Sequence, residues 1–220
     1  MEFHVFFEAA WAAREPIFFG FLMTIAISSL AIVAGSVVGL GVGLGLAYGP
    51  APIAWPLRGY TDFVRGTPVL VLILASYYIL STVGLRLSAF EAGVLALSVF
   101  CSSHIGEIVR GALLSIAKGQ VEAGKAIGLT FSQTFVYVLV PQAIRQILPT
   151  WVNTAAEMVK ASTLLSIIGV SDLLLTTQEI ISRTFLSLPF YLFVGFLYFL
   201  INFGIERFGR YVERRTAIPT

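Results

Sequence analysis

The sequence predicts an all-α integral membrane protein with five membrane-spanning helices, and three observations carry that expectation. First, 57% of the 220 residues are hydrophobic and only 12% are charged, against roughly 25% charged in a soluble domain. Second, mean hydropathy is +0.89. Third, apolar blocks recur along the chain at lengths near the ~20 residues a helix needs to cross a bilayer.

The blocks follow in order. Met1–Glu15 carries three acids against one Arg and is expected to lie outside the membrane. It is not expected to be a cleavable signal, because the apolar block behind it is far longer than a signal core of ~7–15 residues. The first span is expected at Pro16–Tyr48, with Pro16 at a helix start. The second is expected at Pro68–Val83, the third at Phe90–Leu114 and the fifth at Leu188–Phe208. The fourth, Phe131–Val170, contains Pro141 and Pro149, which are expected to interrupt its hydrogen bonding. Polar loops are expected near Gly49–Arg58, Gly84–Ser88, Ser115–Thr130 and Ser171–Ser187. The transmembrane domain is thus 16–215, with an inter-span loop at 115–130 and a short tail at 216–220.

Five spans put the termini on opposite faces, and basic residues choose between the two orientations. With the C-terminus inside, Arg58, Arg65, Arg110, Lys118, Lys125, Arg207, Arg210, Arg214 and Arg215 fall on or near the cytoplasmic side. Arg14, Arg86 and Arg183 fall outside, while Arg145 and Lys160 lie within span four. Nine against three predicts N-out, C-in, and it places the 115–130 loop inside.

Composition also excludes. A net charge of +2 is too small to suggest a nucleic-acid partner. Cys101 is the single cysteine, and His4 and His104 are the only histidines. No disulfide within the chain, thiol-rich metal site or histidine cluster can be built from them. The only aspartates are Asp62 and Asp172, and no Gly-x-Ser-x-Gly occurs, which argues against an intramembrane hydrolase. No G-x4-G-K-[ST] phosphate loop occurs either, so any ATPase is expected on another polypeptide.

Several segments carry chemistry. Glycines at 35, 39, 41, 43 and 45 allow close helix approach in lipid, or flexibility. Arg65-Gly66-Thr67-Pro68 breaks the chain at the membrane edge, since a residue before proline avoids the helical region. Such breaks often line transport sites. Glu107 and Arg110, three apart, share a helix face and form either a structural ion pair or a gate contact. His104 is on the same side, either neutral and hydrogen-bonded or a substrate donor. Gln142, Arg145 and Gln146 can satisfy carbonyls freed by the prolines. Asn153, Glu157, Lys160 and Thr163 run along one helix face. Ionisable residues within a span face an interior or a cavity. The stripe therefore reads either as a Glu157–Lys160 pair joining helices or as a polar path.

The polar segment Glu122-Ala123-Gly124-Lys125-Ala126-Ile127-Gly128 sits between two long apolar blocks. Gln120–Ile127 predicts two helical turns, closed by Gly128 in a left-handed cap. Ala123, Gly124 and Ala126 keep this helix slim enough for a partner's groove. Glu122 can orient it and Lys125 can meet an acidic surface. An ATP-independent carrier leaves this segment unexplained, and five spans lack the tandem repeat usual in secondary carriers.

With Val138-Leu139-Val140-Pro141 downstream, this segment resembles the EAA loop of ABC-importer permeases. Arg65-Gly66-Thr67-Pro68, Glu107–Gly111, Lys118–Ala123, Leu139–Arg145 and Asn153…Leu164 occur in order. Together they resemble the permeases of the polar amino-acid uptake family of ABC transporters, over about Phe19 to Arg215. The resemblance implies a type I ABC importer transmembrane domain with five helices and a cytoplasmic coupling helix. It implies a bacterial inner-membrane location, a second permease subunit of the same or a related kind, a cytoplasmic ABC ATPase dimer and an external solute-binding protein. No cofactor is expected in this chain, ATP and Mg binding the partner ATPase. Glu122, Ala123, Gly124, Lys125 and Gly128 are the expected ATPase-coupling residues. Thr67, Phe100, His104, Asn153 and Glu157 are the expected substrate path. Similar proteins often have Asn near Phe100, Tyr at His104, Gln at Leu72 and Asp-Thr-Ser at Ala161-Ser162-Thr163. These departures suggest a roomier or partly apolar pocket, or a permease half without a substrate site.

Overall fold

The computed structural model describes residues 2–216, and within them the chain is helical almost throughout. Helix α1 (Glu2–Ala12) leads into α2 (Arg14–Tyr48), whose 35 residues extend ~1.5 Å each. That exceeds the ~30 Å hydrocarbon layer, so the ends of α2 project beyond it. The helix stops at Gly49, extended at φ −68°, ψ 147° ahead of Pro50, as a residue before proline prefers.

Helix α3 (Ala51–Gly66) follows at once. The expected polar loop at 49–58 is therefore corrected: prolines at the start of a helix cost it no hydrogen bond, so Pro50 and Pro52 begin a helix rather than forbid one. Thr67 is extended before Pro68, and α3 meets the next segment at 108°. That segment is α4 (Val69–Leu74), a wide π-helical turn at Ala75–Ile79 and the short α5 (Leu80–Thr82). Helix α6 (Ala89–Ser115) opens with a capping box. The Ser88 hydroxyl accepts from the Glu91 backbone, and the Glu91 carboxylate accepts from the Ser88 N–H, which satisfies two free donors at the helix end.

After α7 (Lys118–Ala126), α8 (Phe131–Thr134) opens with a second capping box of Thr130 and Gln133. A π-helical turn at Phe135–Leu139 precedes α9 (Val140–Ala161). The expected interruption of hydrogen bonding by Pro141 and Pro149 removes two backbone donors without ending the helix. Pro141 falls in the first turn of α9, and Pro149 is held inside a helix that continues through it. The Gln142 side chain donates to the Val138 carbonyl at 2.8 Å, so local polar groups serve the break. A 3-10 turn (Ser162–Ile168) ends at Gly169 with φ +83°. The expected loop at 171–187 instead contains α10 (Leu173–Thr184), capped by the Asp172 carboxylate accepting from Leu175 N–H at 2.8 Å. Helix α11 (Ser187–Thr216) completes the described chain. The tail expected at 216–220 lies outside the described residues beyond Thr216.

By length and apolarity α2, α6 and α11 qualify individually as membrane crossings. Two bent pairs raise the number to five if each is one crossing. Helix α6 is central, with 61% of its most apolar stretch buried, whereas α11 is peripheral at 11%.

The α2–α6 contact explains the glycines. Cβ atoms placed on Gly35, Gly39 and Gly43 would lie 2.5–2.6 Å from those of Cys101, Ile105 and Val109. Both sets advance by four residues, one row of each helix surface, and the missing side chains bring the backbones together. Gly41 faces open space. Around this seam, one core gathers Ile27, Ile73, Leu97 and Leu165, and another gathers Phe100, Ile105, Val109 and Met158. A third, with Ile17, Leu173 and Phe190, receives Phe6 of α1.

Overpacking a close contact costs ~1–3 kcal/mol. We therefore expect Gly39→Ala to lower the midpoint of thermal unfolding in detergent and Gly41→Ala to leave it unchanged or raised. Equal midpoints would refute the seam.

Candidate functional site: a polar crevice and a docking helix

Helix α9 is amphipathic in an unusual place. Val152, Ala155, Ala156, Met158 and Val159 are buried, while Thr150, Asn153, Glu157 and Lys160 are exposed. Exposed polar groups at membrane depth cannot face hydrocarbon and require protein or water. Thr150, Asn153 and Glu157 line an open crevice of about 470 Å³, together with Arg65, His104, Glu107, Ile108 and Thr154. His104, Asn153 and Glu157, expected on the path, are thus brought together.

The other two expected path residues stand elsewhere. Phe100 is buried, its ring 4.4 Å from that of His104, so it backs the histidine without lining the crevice. Thr67 ends α3 with its hydroxyl donating to the Phe63 carbonyl at 2.7 Å. Phe100 faces inward because the row Phe100, Cys101, Ile105 meets neighbouring helices. Thr67 spends its donor on the backbone beside the break.

His104 Nδ1 lies 3.0 Å from the Phe100 carbonyl. A carbonyl only accepts, so Nδ1 donates to it and Nε2 is the ring nitrogen left for other partners. Glu157 and Lys160 form no ion pair among the described residues; both lie on the exposed face.

At one edge of the crevice Glu107 is an electrostatic hub. Arg110 donates to both its oxygens, Nη2 to Oε2 at 2.8 Å and Nε at 3.1 and 3.2 Å. Arg58 Nη1 donates to Oε1 at 2.8 Å, and Arg65 Nη1 lies 3.9 Å from Oε2. The Glu107 side chain is only 12% exposed. Three cations on one sheltered acid compensate its desolvation and tie α3 to α6. Sequence reasoning found the Arg110 pair but missed Arg58 and Arg65 as partners, because 49–58 was read as loop. Their seven-residue spacing, two turns of one helix face, was the available signal.

A helix, α7, stands where the docking helix is expected. Its end is a Schellman motif: Leu129 N–H donates to the Gly124 carbonyl, Gly128 N–H donates to the Lys125 carbonyl, and Gly128 has φ +83°. Gly124 is buried, and a Cβ there would meet Thr134 Oγ1 at 2.7 Å. Glu122, Ala123 and Lys125 remain exposed, as do Ala126 and Ile127. Gln142 Nε2 donates to Gln120 Oε1 at 3.3 Å, and the Ser115 hydroxyl donates to Gln146 Oε1. Helix α7 is therefore tied to the start of α9, the helix that carries the crevice residues.

Removing one partner of a buried ion pair costs ~3–5 kcal/mol, and partial exposure of these arginines lowers that toward about 1–3 kcal/mol. Glu107→Gln should accordingly lower the thermal midpoint and speed proteolysis between α3 and α4. Unchanged digestion would mean that the hub does not hold α3.

Comparison with known proteins agrees with this geometry. Residues 35–218 match the family described as the inner membrane component of binding-protein-dependent transport systems. A glutamine transport system permease of Escherichia coli, GlnP, is 34% identical over 96% of this chain and 97% of its own. A probable glutamine ABC transporter permease of Bacillus subtilis, GlnM, is 31% identical over 89% and 91%. A crystal structure of an amino acid ABC transporter with histidines superposes with a TM-score of 0.85 at 33% identity, covering 92% of this chain and 94% of its own. An inward-facing MetNI methionine ABC transporter, at 21% identity and a TM-score of 0.78 over 90% and 94%, shares the fold. The chain therefore belongs to the inner-membrane components of binding-protein-dependent transport systems, as a multi-pass permease subunit of an ATP-driven importer whose ATPase is a separate subunit.

Proposed function

We propose that this permease moves a polar amino acid or amino-acid-like solute inward, along the crevice between α6 and α9. The observation that carries the reading is the exposed Thr150–Asn153–Glu157 face on an otherwise buried helix. Similar proteins named for glutamine transport support the solute class. Glu157 attracts the solute's ammonium group. His104, through Nε2, contacts its polar or carboxylate end. Asn153 supplies both a donor and an acceptor.

The chain crosses the membrane five times, each bent pair counting once, with the N-terminus outside and the C-terminus in the cytoplasm. The excess of Lys and Arg on one side supports this orientation. A second permease subunit, the same or related, closes the open side of the crevice. An external binding protein delivers solute, and a cytoplasmic ATPase dimer binds ATP and Mg. ATP binding draws the ATPases together and moves α7, whose exposed Glu122, Ala123 and Lys125 meet them. The contacts of Gly124 with Thr134 and of Gln120 with Gln142 pass that motion to α9. The crevice then opens outward to accept solute, and hydrolysis returns it inward. The permease itself makes and breaks no covalent bond.

Uptake into liposomes holding the assembled importer tests both halves. A charge-assisted hydrogen bond contributes ~1.5–3 kcal/mol, so Glu157→Gln should lower apparent solute affinity by about tenfold or more while basal ATPase activity persists. Unchanged uptake and affinity would remove Glu157 from the path. At Gly128 a left-handed non-glycine residue costs ~1–2 kcal/mol. Gly128→Ala should therefore reduce solute-stimulated ATPase activity and retention of the ATPase subunit, with crevice affinity preserved. Full coupling in that variant would refute docking through α7.

A further inference from the structure

Helix α11 ends in a basic cluster that the transport reading does not use. Arg207, Arg210 and Arg214, with Tyr211, enclose a crevice of about 190 Å³. At 100° per residue these four share one helix face. The exposed Leu192, Phe196, Leu200 and Phe203 continue that face toward the membrane interior. Arg207 sits over the Phe203 ring at 5.9 Å, and Arg215 over the Tyr211 ring at 5.4 Å. The cations thus rest on aromatic rings at the polar end of an apolar face, as side chains do at a membrane interface. Glu206 and Glu213 are seven apart on a neighbouring stripe of the same helix. Gly209 is turned the opposite way, packed against Val152 of α9.

Beside this face runs a groove between α2 and α11, floored by α9. Its larger part, about 570 Å³, is walled by Ile25, Val33, Ala155, Leu200 and Gly204. A second part of about 360 Å³ continues past Leu40, Ile147 and Phe208 to Gly209 and Val212. Apart from the hydroxyls of Ser29 and Ser36 and the Trp151 indole N–H, which donates to Ser36 Oγ at 2.8 Å, its lining side chains are apolar. Water needs two to four polar partners, so hydrocarbon is the fitting content. Along α11 the groove reaches Gly209 and Val212, level with Arg207 and Arg210.

We infer that α11 holds an anionic glycerophospholipid, with its phosphate between Arg207, Arg210 and Arg214 and an acyl chain in the groove against α2 and α9. One molecule class joins a long apolar chain to a phosphate, which matches the two adjoining features. Basic pockets beside membrane helices favour anionic headgroups by ~1 kcal/mol per Lys or Arg. The inference is independent of the solute carried.

The test uses the full chain, purified in mild detergent, delipidated and titrated with dioleoyl phosphatidylglycerol or dioleoyl phosphatidylcholine. Bound lipid is counted by native mass spectrometry. Phosphatidylglycerol should bind about tenfold to a hundredfold more tightly than phosphatidylcholine. The triple change Arg207→Gln, Arg210→Gln and Arg214→Gln should abolish that preference, and the corresponding Lys changes should keep most of it. Gly204→Leu, where an added Cβ meets nothing within 4 Å, should weaken both lipids several-fold and leave their ratio intact. Equal binding of the two lipids by the unaltered chain would overturn the proposal, as would a preference that survives the Gln changes. So would a Gln triple variant that keeps phosphatidylglycerol but sheds the ATPase subunit from the complex, since that assigns the crevice to a protein partner.

Discussion

Hydrocarbon offers no hydrogen bond, and nearly every feature of this chain answers to that constraint. It demands that backbone groups be paired within each segment, so the chain is helical. It also concentrates polar invention where helices break. The Ser88–Glu91 and Thr130–Gln133 boxes, the Asp172 cap and the Schellman end of α7 each satisfy donors or acceptors that a helix end exposes. The π-helical turn before Pro141 lets the backbone absorb a missing donor without ending the helix.

The same constraint makes polar side chains informative. Apolar side chains gain little by leaving lipid for one another, so helices associate through close packing and through polar contacts. The glycine row of α2 against α6 is the first kind. The Trp151 indole donating to Ser36 at 2.8 Å and Thr24 accepting from Leu173 N–H at 3.1 Å are the second. Polar groups left exposed after this pairing need another explanation. On α9 they line the crevice, beside a hub whose three arginines surround one acid. On α11 they crown an apolar face.

The connections between α7 and α9 are short. From α7 to α9 the path runs through one glycine contact, two glutamine side chains and the short α8 segment. A buried Gly124 against Thr134 leaves little slack. These contacts end at the base of α9, about three to four turns from Asn153 and Glu157. The hub at Glu107 holds α3 against α6 at the other side of the same crevice, so its walls belong to helices fixed at different points.

The sequence alone carried the membrane class, the short helix near 120–127 and its Gly128 cap, the Glu107–Arg110 pair and the polar face of α9. Each of these is a local pattern: composition, a left-handed glycine, or residues three and four apart. It misread 49–58 and 171–187 as loops, because in a membrane protein a polar, proline-bearing stretch has the composition of a connection even when it is helical. Only the tertiary structure decided that Arg58 and Arg65 reach Glu107 and that Phe100 turns inward behind His104. It also decided which glycines of α2 meet α6 and which face open space. These outcomes depend on crossing angles and on the bend at Thr67-Pro68, which bring together residues about forty to seventy positions apart, and no local spacing encodes such distances.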